Sequence, residues 1–272
     1  MDSSKLLGVI GGSGFYTFDE LKIIDKVSPK TRYGKPSSSI IIGEYKGSQV
    51  AFIPRHGNAH ELSPSKIPYK ANIYALKEIG VTHIVGTSVV GSLKRTIKPG
   101  FFVLPDQFVD FTTHRTLTSA NQKRFYHLPM AEPYSVYLRS SLSKILYKLR
   151  YPYIDKATVV IIEGPRFSTK AESHFFIRNQ WDIVNMTQYP ECYFAKEAKI
   201  YYAALCTVTD YDCGLSRSIS FSEDFPAVKK LFIRNTERTK KVLLEMVATS
   251  KKIMESSPEF PPHLEEYFKE TT

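Results

Sequence analysis

The sequence predicts an α/β fold, and three features carry that expectation. Apolar, β-branched runs recur along the chain, over residues 6–10, 50–53, 83–90, 157–162 and 203–208. Segments with apolar residues at helical spacing lie between them. Clusters of Gly, Arg, His, Ser, Thr and Asp follow the runs directly. Continuous apolar runs are the pattern of strands covered on both faces of a parallel sheet. Ligands of such sheets bind beyond the carboxyl ends of the strands, where these clusters fall.

No composition shift, linker or repeat divides the 272 residues, so one domain over 1–272 is expected, with a core over about 6–254 and a surface tail over 255–272. The formal charge of +10 favours anionic partners without choosing among phosphate, phosphorylated metabolites and nucleic acid. The basic residues are scattered, which does not indicate a nucleic-acid stripe. Cys192, Cys206 and Cys213 lack paired ligand spacing, arguing against a zinc site and a secreted disulfide framework. The first apolar run breaks at Gly11-Gly12, too early for a signal peptide or a membrane span. A cytoplasmic protein without a membrane partner is expected.

Along the chain, the run 6–10 reads as a buried strand followed by Gly11-Gly12-Ser13-Gly14, either an anion cradle or a plain tight turn. Residues 40–42 and 50–53 read as a hairpin entering Pro54-Arg55-His56-Gly57, an anion clamp or an exposed loop pair. Tyr69, Ile73 and Leu76 predict a helix over 66–79, closed by Gly80. The strand 83–90 ends in Thr87-Ser88-Val89, whose hydroxyls bond a phosphate or close the turn. A strand over 101–104 precedes a polar, irregular stretch, 106–130, that carries His114 and His127. A helix over 134–148 and a strand over 157–162 come next, the strand ending in Glu163-Gly164-Pro165-Arg166-Phe167-Ser168. Ile183-Val184 leads into Asn185-Met186-Thr187 and a helix over 190–198. The strand from Ala203 ends in Asp210 and Asp212, and a long helix with Val228, Leu231 and Phe232 at helical spacing spans about 222–254.

Asp210 and Asp212 would share a face if their strand continued, converging on one ligand edge. On that stretch alone, a turn cap beside a solvated carboxylate is the commoner use. The coincidence of six such clusters outweighs the bland readings. Ser13, Arg55, His56, Ser88 and Thr187 suit an anion, whereas Asp210 and Asp212 suit amine or ring-nitrogen donors. A phosphate together with a nitrogenous base fits both groups.

The chain closely resembles the trimeric purine nucleoside phosphorylase family, in its methylthioadenosine phosphorylase branch. The resemblance rests on residues 10–14, Pro54-Arg55-His56-Gly57, 65–77, Gly91-Ser92-Leu93, Asp106-Gln107-Phe108, 129–133, 163–168, Asn185-Met186-Thr187, 195–198 and 209–212. It runs collinearly over roughly 6–250. It implies a nucleoside-phosphorylase-like fold, a central mixed and partly closed β-sheet flanked by helices. The implied enzyme is a pentosyltransferase that cleaves 5'-deoxy-5'-methylthioadenosine with inorganic phosphate as co-substrate, using no metal and no organic cofactor. By the resemblance, Ser13, Arg55, His56, Ser88 and Thr187 hold phosphate, with Val89 beside them. Met186 lies under the ribose, Phe167 stacks on the base, and Asp210 and Asp212 read N7 and the 6-amino group. His127 reaches the 5' end of a nucleoside in a neighbouring subunit, so a homotrimer or a dimer of trimers is implied.

Two positions depart from the family pattern where it bears on substrate. Phe225 and Lys229, with Val228 between them, fall where relatives line the methylthio pocket with small or aliphatic residues. A nucleoside phosphorylase acting on adenosine, inosine or guanosine is therefore the first alternative. A silent homologue that binds nucleotides or nucleic acid is the second.

Overall fold

The computed structural model describes residues 5–15, 18, 20–116, 127–215, 225–258, 260 and 261, with backbone alone over 225–228. Its elements in chain order are β1 (Leu6–Gly11), β2 (Lys22–Val27), β3 (Ile40–Tyr45), β4 (Ser48–Pro54), α1 (Tyr69–Glu78), β5 (Val81–Ser92), β6 (Phe102–Val103), β7 (Gln107–Phe111), α2 (Val136–Lys148), β8 (Tyr153–Ile154), β9 (Thr158–Ile162), α3 (Lys170–Arg178), β10 (Ile183–Asn185), α4 (Gln188–Glu197), β11 (Tyr201–Tyr211) and α5 (Phe225–Glu255). The α/β expectation holds, and the sheet is mixed.

β5 organises the sheet because its 12 residues outrun every neighbour. Along one edge it pairs in parallel with β11 over almost its full length. Along the other it pairs first with β1, through Gly86, and then with β10, antiparallel at Gly91 and Ser92. Thr87, Ser88 and Val89 lie between those two partners, in a gap at the carboxyl end of β1. Such a switch of neighbours opens a crevice beyond the strand ends. The path runs β2-β3-β4-β1-β5-β10-β9-β7, and β11, β6 and β8 branch from the other edge of β5. Among the described residues no pairing joins β2 or β8 back to β7. The expected partial closure is thus corrected to a branched, open sheet, because β5 spends its length on several neighbours.

Helices cover both faces, as twofold-buried strands require. Ile10, Ile53 and Ile84 pack with Ile73 and Leu76 of α1 and with Phe194 of α4. Leu7, Phe52, Val85 and Leu205 pack on the other face with Leu138 and Leu142 of α2 and with Leu243 and Met246 of α5. Local chemistry sets the helix starts. The Ser135 hydroxyl accepts from the Leu138 amide at α2, and Thr169 with Glu172 forms a capping box at α3.

The stretch 106–130 is less irregular than its polarity suggests. β7 lies within it, parallel to β9, as a half-exposed edge strand without an apolar run. β2 and β8 were also unforeseen: β2 exposes most of its residues, and β8 has only two. α3, likewise unforeseen, carries a short apolar stripe. The expected surface tail begins as a docked one, since His83 Nε2 meets Ser257 Oγ at 2.7 Å and Tyr201 Oη donates to the Pro258 carbonyl.

Candidate active site

One cavity of about 580 Å³ lies at the carboxyl ends of β1, β4, β5, β10 and β11. The loop after β1 forms its first wall. Gly12 there has no room for a side chain, because a Cβ would strike the Thr87 carbonyl and the Arg55 guanidinium. Its amide donates to Thr87 Oγ1 at 2.8 Å, which aligns β1 with the gap in β5. Gly14, at φ +79°, turns the loop against Phe232 of α5, and Ser13 is left lining the cavity.

Arg55 directly follows β4 and is fully buried. Its Nε and Nη2 donate to the two carboxylate oxygens of Glu191 at 2.6 and 2.7 Å, and Nη1 donates to the Thr87 carbonyl at 2.7 Å. Tyr202 Oη also donates to Glu191, at 2.7 Å. Although burial alone opposes the charge on Arg55, the Glu191 carboxylate more than offsets it and holds the guanidinium protonated. One N–H on each terminal nitrogen remains for a ligand. The exposed-loop reading of Arg55 and His56 is overturned, since both are buried.

His56 Nδ1 lies 2.8 Å from the Leu62 carbonyl, which can only accept, so the proton sits on Nδ1. Burial, then Arg55, pushes the ring down to about 4. At neutral pH His56 is therefore uncharged, and Nε2 offers a lone pair to the cavity. His60, also lining it, stacks on His56 with centroids 4.6 Å apart. Ser88 Oγ is buried with no hydrogen-bond partner among the described residues. Thr187 is buried too, and its amide is held by Asn185 Oδ1 at 2.8 Å.

The carboxylates lie at the end of β11. A bulge between Val208 and Asp210 breaks the register with β5 and re-aims the last residues of the strand, so simple alternation does not place the pair. Asp210 Oδ1 accepts from Thr209 Oγ1 at 2.7 Å. Burial raises Asp210 to about 6, with Asp212 adding to the shift and the Thr209 hydroxyl opposing it. Asp212 is 7% exposed, burial raises it as well, and its Oδ2 has no partner among the described residues. A buried acceptor left unpaired is costly, so this atom suits a ligand N–H.

Val89, Phe167 and Met186 complete the predicted lining, and Phe167 is 61% exposed. His127 is exposed and does not line this cavity. The side chains of Phe225 and Val228 lie outside the described residues, but Lys229 and Phe232 of α5 line the cavity.

Sequence reasoning missed two buried charges that shape the site. Glu191 gave no signal because a lone acid inside a helix resembles a surface residue. Arg115 was hidden in the polar stretch before His127. It donates from Nε to Glu163 Oε1 at 2.9 Å, from Nη2 to the carbonyls of Glu163 and Met186 at 2.8 and 3.0 Å, and from Nη1 to Tyr69 Oη at 2.8 Å. Tyr69 in turn donates to the Pro64 carbonyl at 2.9 Å. One guanidinium thus ties together three segments that line the cavity, those of Pro64, Phe167 and Met186.

Comparison with known proteins agrees with this geometry. The model of the phosphorylase superfamily matches residues 6–248. The S-methyl-5'-thioadenosine phosphorylase of Nitrosopumilus maritimus is 43% identical over 247 residues, spanning 91% of this chain and 92% of that protein. A methylthioadenosine phosphorylase from an antarctic soil metagenomic library has a similar crystal structure, with TM-score 0.85, 39% identity, and coverage of 95% of this chain and 89% of that one. A single-residue variant of the adenosine/methylthioadenosine phosphorylase of Schistosoma mansoni, solved with methylthioadenosine, matches at TM-score 0.84 and 32% identity over 92% and 95% of the two chains. With its site at the strand ends and this likeness over nine-tenths of its length, the chain belongs to the phosphorylase superfamily and, within it, to the methylthioadenosine phosphorylases.

Proposed function

We propose that this enzyme cleaves 5'-deoxy-5'-methylthioadenosine with inorganic phosphate, giving adenine and 5-methylthioribose 1-phosphate. The observation that carries the reading is a single cavity with hydroxyls and Arg55 among its lining and, also lining it, Asp212, whose buried Oδ2 has no partner among the described residues. Phosphate is the co-substrate, and no cofactor is assigned.

In the reaction the bond from the sugar C1' to purine N9 breaks, its electron pair passes to the purine, and a phosphate oxygen bonds C1'. The transition state is positive on the ribose and negative on the base. Ser13, Ser88, Thr187 and the remaining Arg55 N–H groups hold the phosphate oxygens under the sugar. A protonated phosphate oxygen donates to Nε2 of neutral His56. Met186 lies under the ribose and Phe167 covers the base. Asp210, raised to about 6 by burial, delivers its proton to N7 from its protonated form, and Asp212 accepts from the 6-amino group.

Purified protein with methylthioadenosine should release adenine only when phosphate is added. Inosine should be at least about 10²-fold poorer in kcat/KM, because O6 would face the Asp212 lone pairs instead of giving it a donor. Phosphate-independent release, or inosine turnover matching methylthioadenosine, would overturn the reading. Adenosine is the second substrate to compare, given the activity named for the Schistosoma relative.

Arg115 acts as a positioning residue. Arg115→Met should raise the nucleoside KM by roughly tenfold through loosened Met186 and Phe167 loops, with a smaller effect on phosphate KM. Arg115→Lys should recover part of the loss. Equal effects on both substrates would point to a general loss of structure instead.

The working assembly is a homotrimer in which His127 of one subunit reaches the 5' end of a neighbour's nucleoside, as its exposure outside its own cavity allows. Dilution into monomers should abolish turnover before the fold is lost, read by light scattering alongside activity. Among the described residues no helix is long and apolar enough to cross a membrane. A cytoplasmic setting agrees with three free thiols.

A further inference from the structure

The residues around the phosphate-binding hydroxyls carry less free positive charge than their names suggest. Arg55 is matched bidentately by Glu191, a pair with no net charge. His56 is uncharged, with its one N–H, on Nδ1, donating to the Leu62 carbonyl. The hydroxyls of Ser13, Ser88 and Thr187 are dipoles. An entering phosphate therefore finds donors from these groups but no uncompensated cation.

Lys229 supplies one. It lines the same cavity, its side chain is exposed, and among the described residues no carboxylate pairs with it. α5 sets its position. Phe232, three residues on, lines the cavity and closes over Gly14. Thr236, another turn along the same face, adjoins Ser13 and Ser88 in a smaller neighbouring cavity. Lys229 thus belongs to the helix face that meets the phosphate-binding loop, on the solvent side.

We propose that Lys229 recruits inorganic phosphate, its exposed ammonium compensating the anion as it enters from solvent. The inference rests on the phosphorylase reading and adds to it a residue acting on the co-substrate. Because an exposed cation works through a field that salt screens, its effect belongs to phosphate binding and its ionic-strength dependence and not to bond cleavage.

The test is phosphate KM at saturating methylthioadenosine, at low and at high sodium chloride, for the unaltered protein, Lys229→Met and Lys229→Arg. Lys229→Met should raise phosphate KM by roughly 3- to 10-fold at low salt, flatten its salt dependence, and leave kcat within about twofold. Lys229→Arg should keep most of the affinity. Unchanged phosphate KM in Lys229→Met, with a changed nucleoside KM, would assign Lys229 to the 5' substituent and overturn the proposal. Calorimetric titration with inorganic phosphate alone reads the same shift without turnover. If the unaltered protein releases no adenine, the functional reading fails, and the titration still decides Lys229.

Discussion

Asp210→Asn is expected to lower kcat on methylthioadenosine by roughly 10²- to 10⁴-fold, the usual worth of a positioned general acid. The amide can hydrogen-bond N7 but has no proton to transfer. The pH profile ties the loss to this group. Asp210 is raised to about 6 by burial and by Asp212, and the protonated form is the reactive one, so kcat/KM of the unaltered enzyme should fall as pH rises above about 6. The residual activity of the variant should lack that limb. Stability should fall over the same rise in pH. A carboxyl raised above its unfolded value of 3.8 favours the fold fully below that value and loses this contribution as pH rises through 6. At pH 7 the Asn variant, freed of a buried charge, should melt no lower than the parent. A parallel drop in melting temperature and activity would mean that Asp210 is structural.

Arg55→Met should be the most destabilising single change near the site, by about 3–5 kcal/mol, because it leaves the Glu191 carboxylate buried and unpaired. Glu191 is itself inaccessible and, among the described residues, keeps only the Tyr202 hydroxyl as a side-chain donor. Adding Glu191→Gln removes the orphaned charge, so the double variant should recover a substantial part of the stability in denaturant unfolding. Phosphate-dependent turnover should not return, since the N–H groups offered to phosphate are gone. If the double variant were no more stable than Arg55→Met, the guanidinium would matter for packing and not for its pairing with Glu191. Activity restored in the double variant would exclude a direct role for Arg55 with phosphate.

Much of this architecture was legible in the residues. The strands of β1, β4, β5, β9 and β11 announced themselves as apolar runs because burial on both faces favours apolar residues at successive positions. α1, α2 and α5 were visible through one-sided apolar spacing. β2 and β7 escaped because exposed edge strands lack such runs, and β8 because two residues carry no pattern. The clusters after the strands identified Ser13, Arg55, His56, Ser88, Met186, Thr187 and the Asp210–Asp212 pair as neighbours, since parallel strands bring their carboxyl ends to one side of a sheet.

Which residue types stand at the strand ends, and therefore what chemistry the crevice can hold, is written in the order of the amino acids. Their electrical state is not, and it emerges only from the folded neighbourhood. Glu191 lies 136 residues from Arg55 and neutralises it, His56 is held uncharged by burial and then by Arg55, and Asp210 is lifted by its surroundings. Desolvation and partner charges are properties of three-dimensional neighbourhoods, which spacing along a chain does not encode. The same reason hid Arg115, whose bonds span Tyr69, Glu163 and Met186, and the placing of Lys229 in one cavity with Ser13.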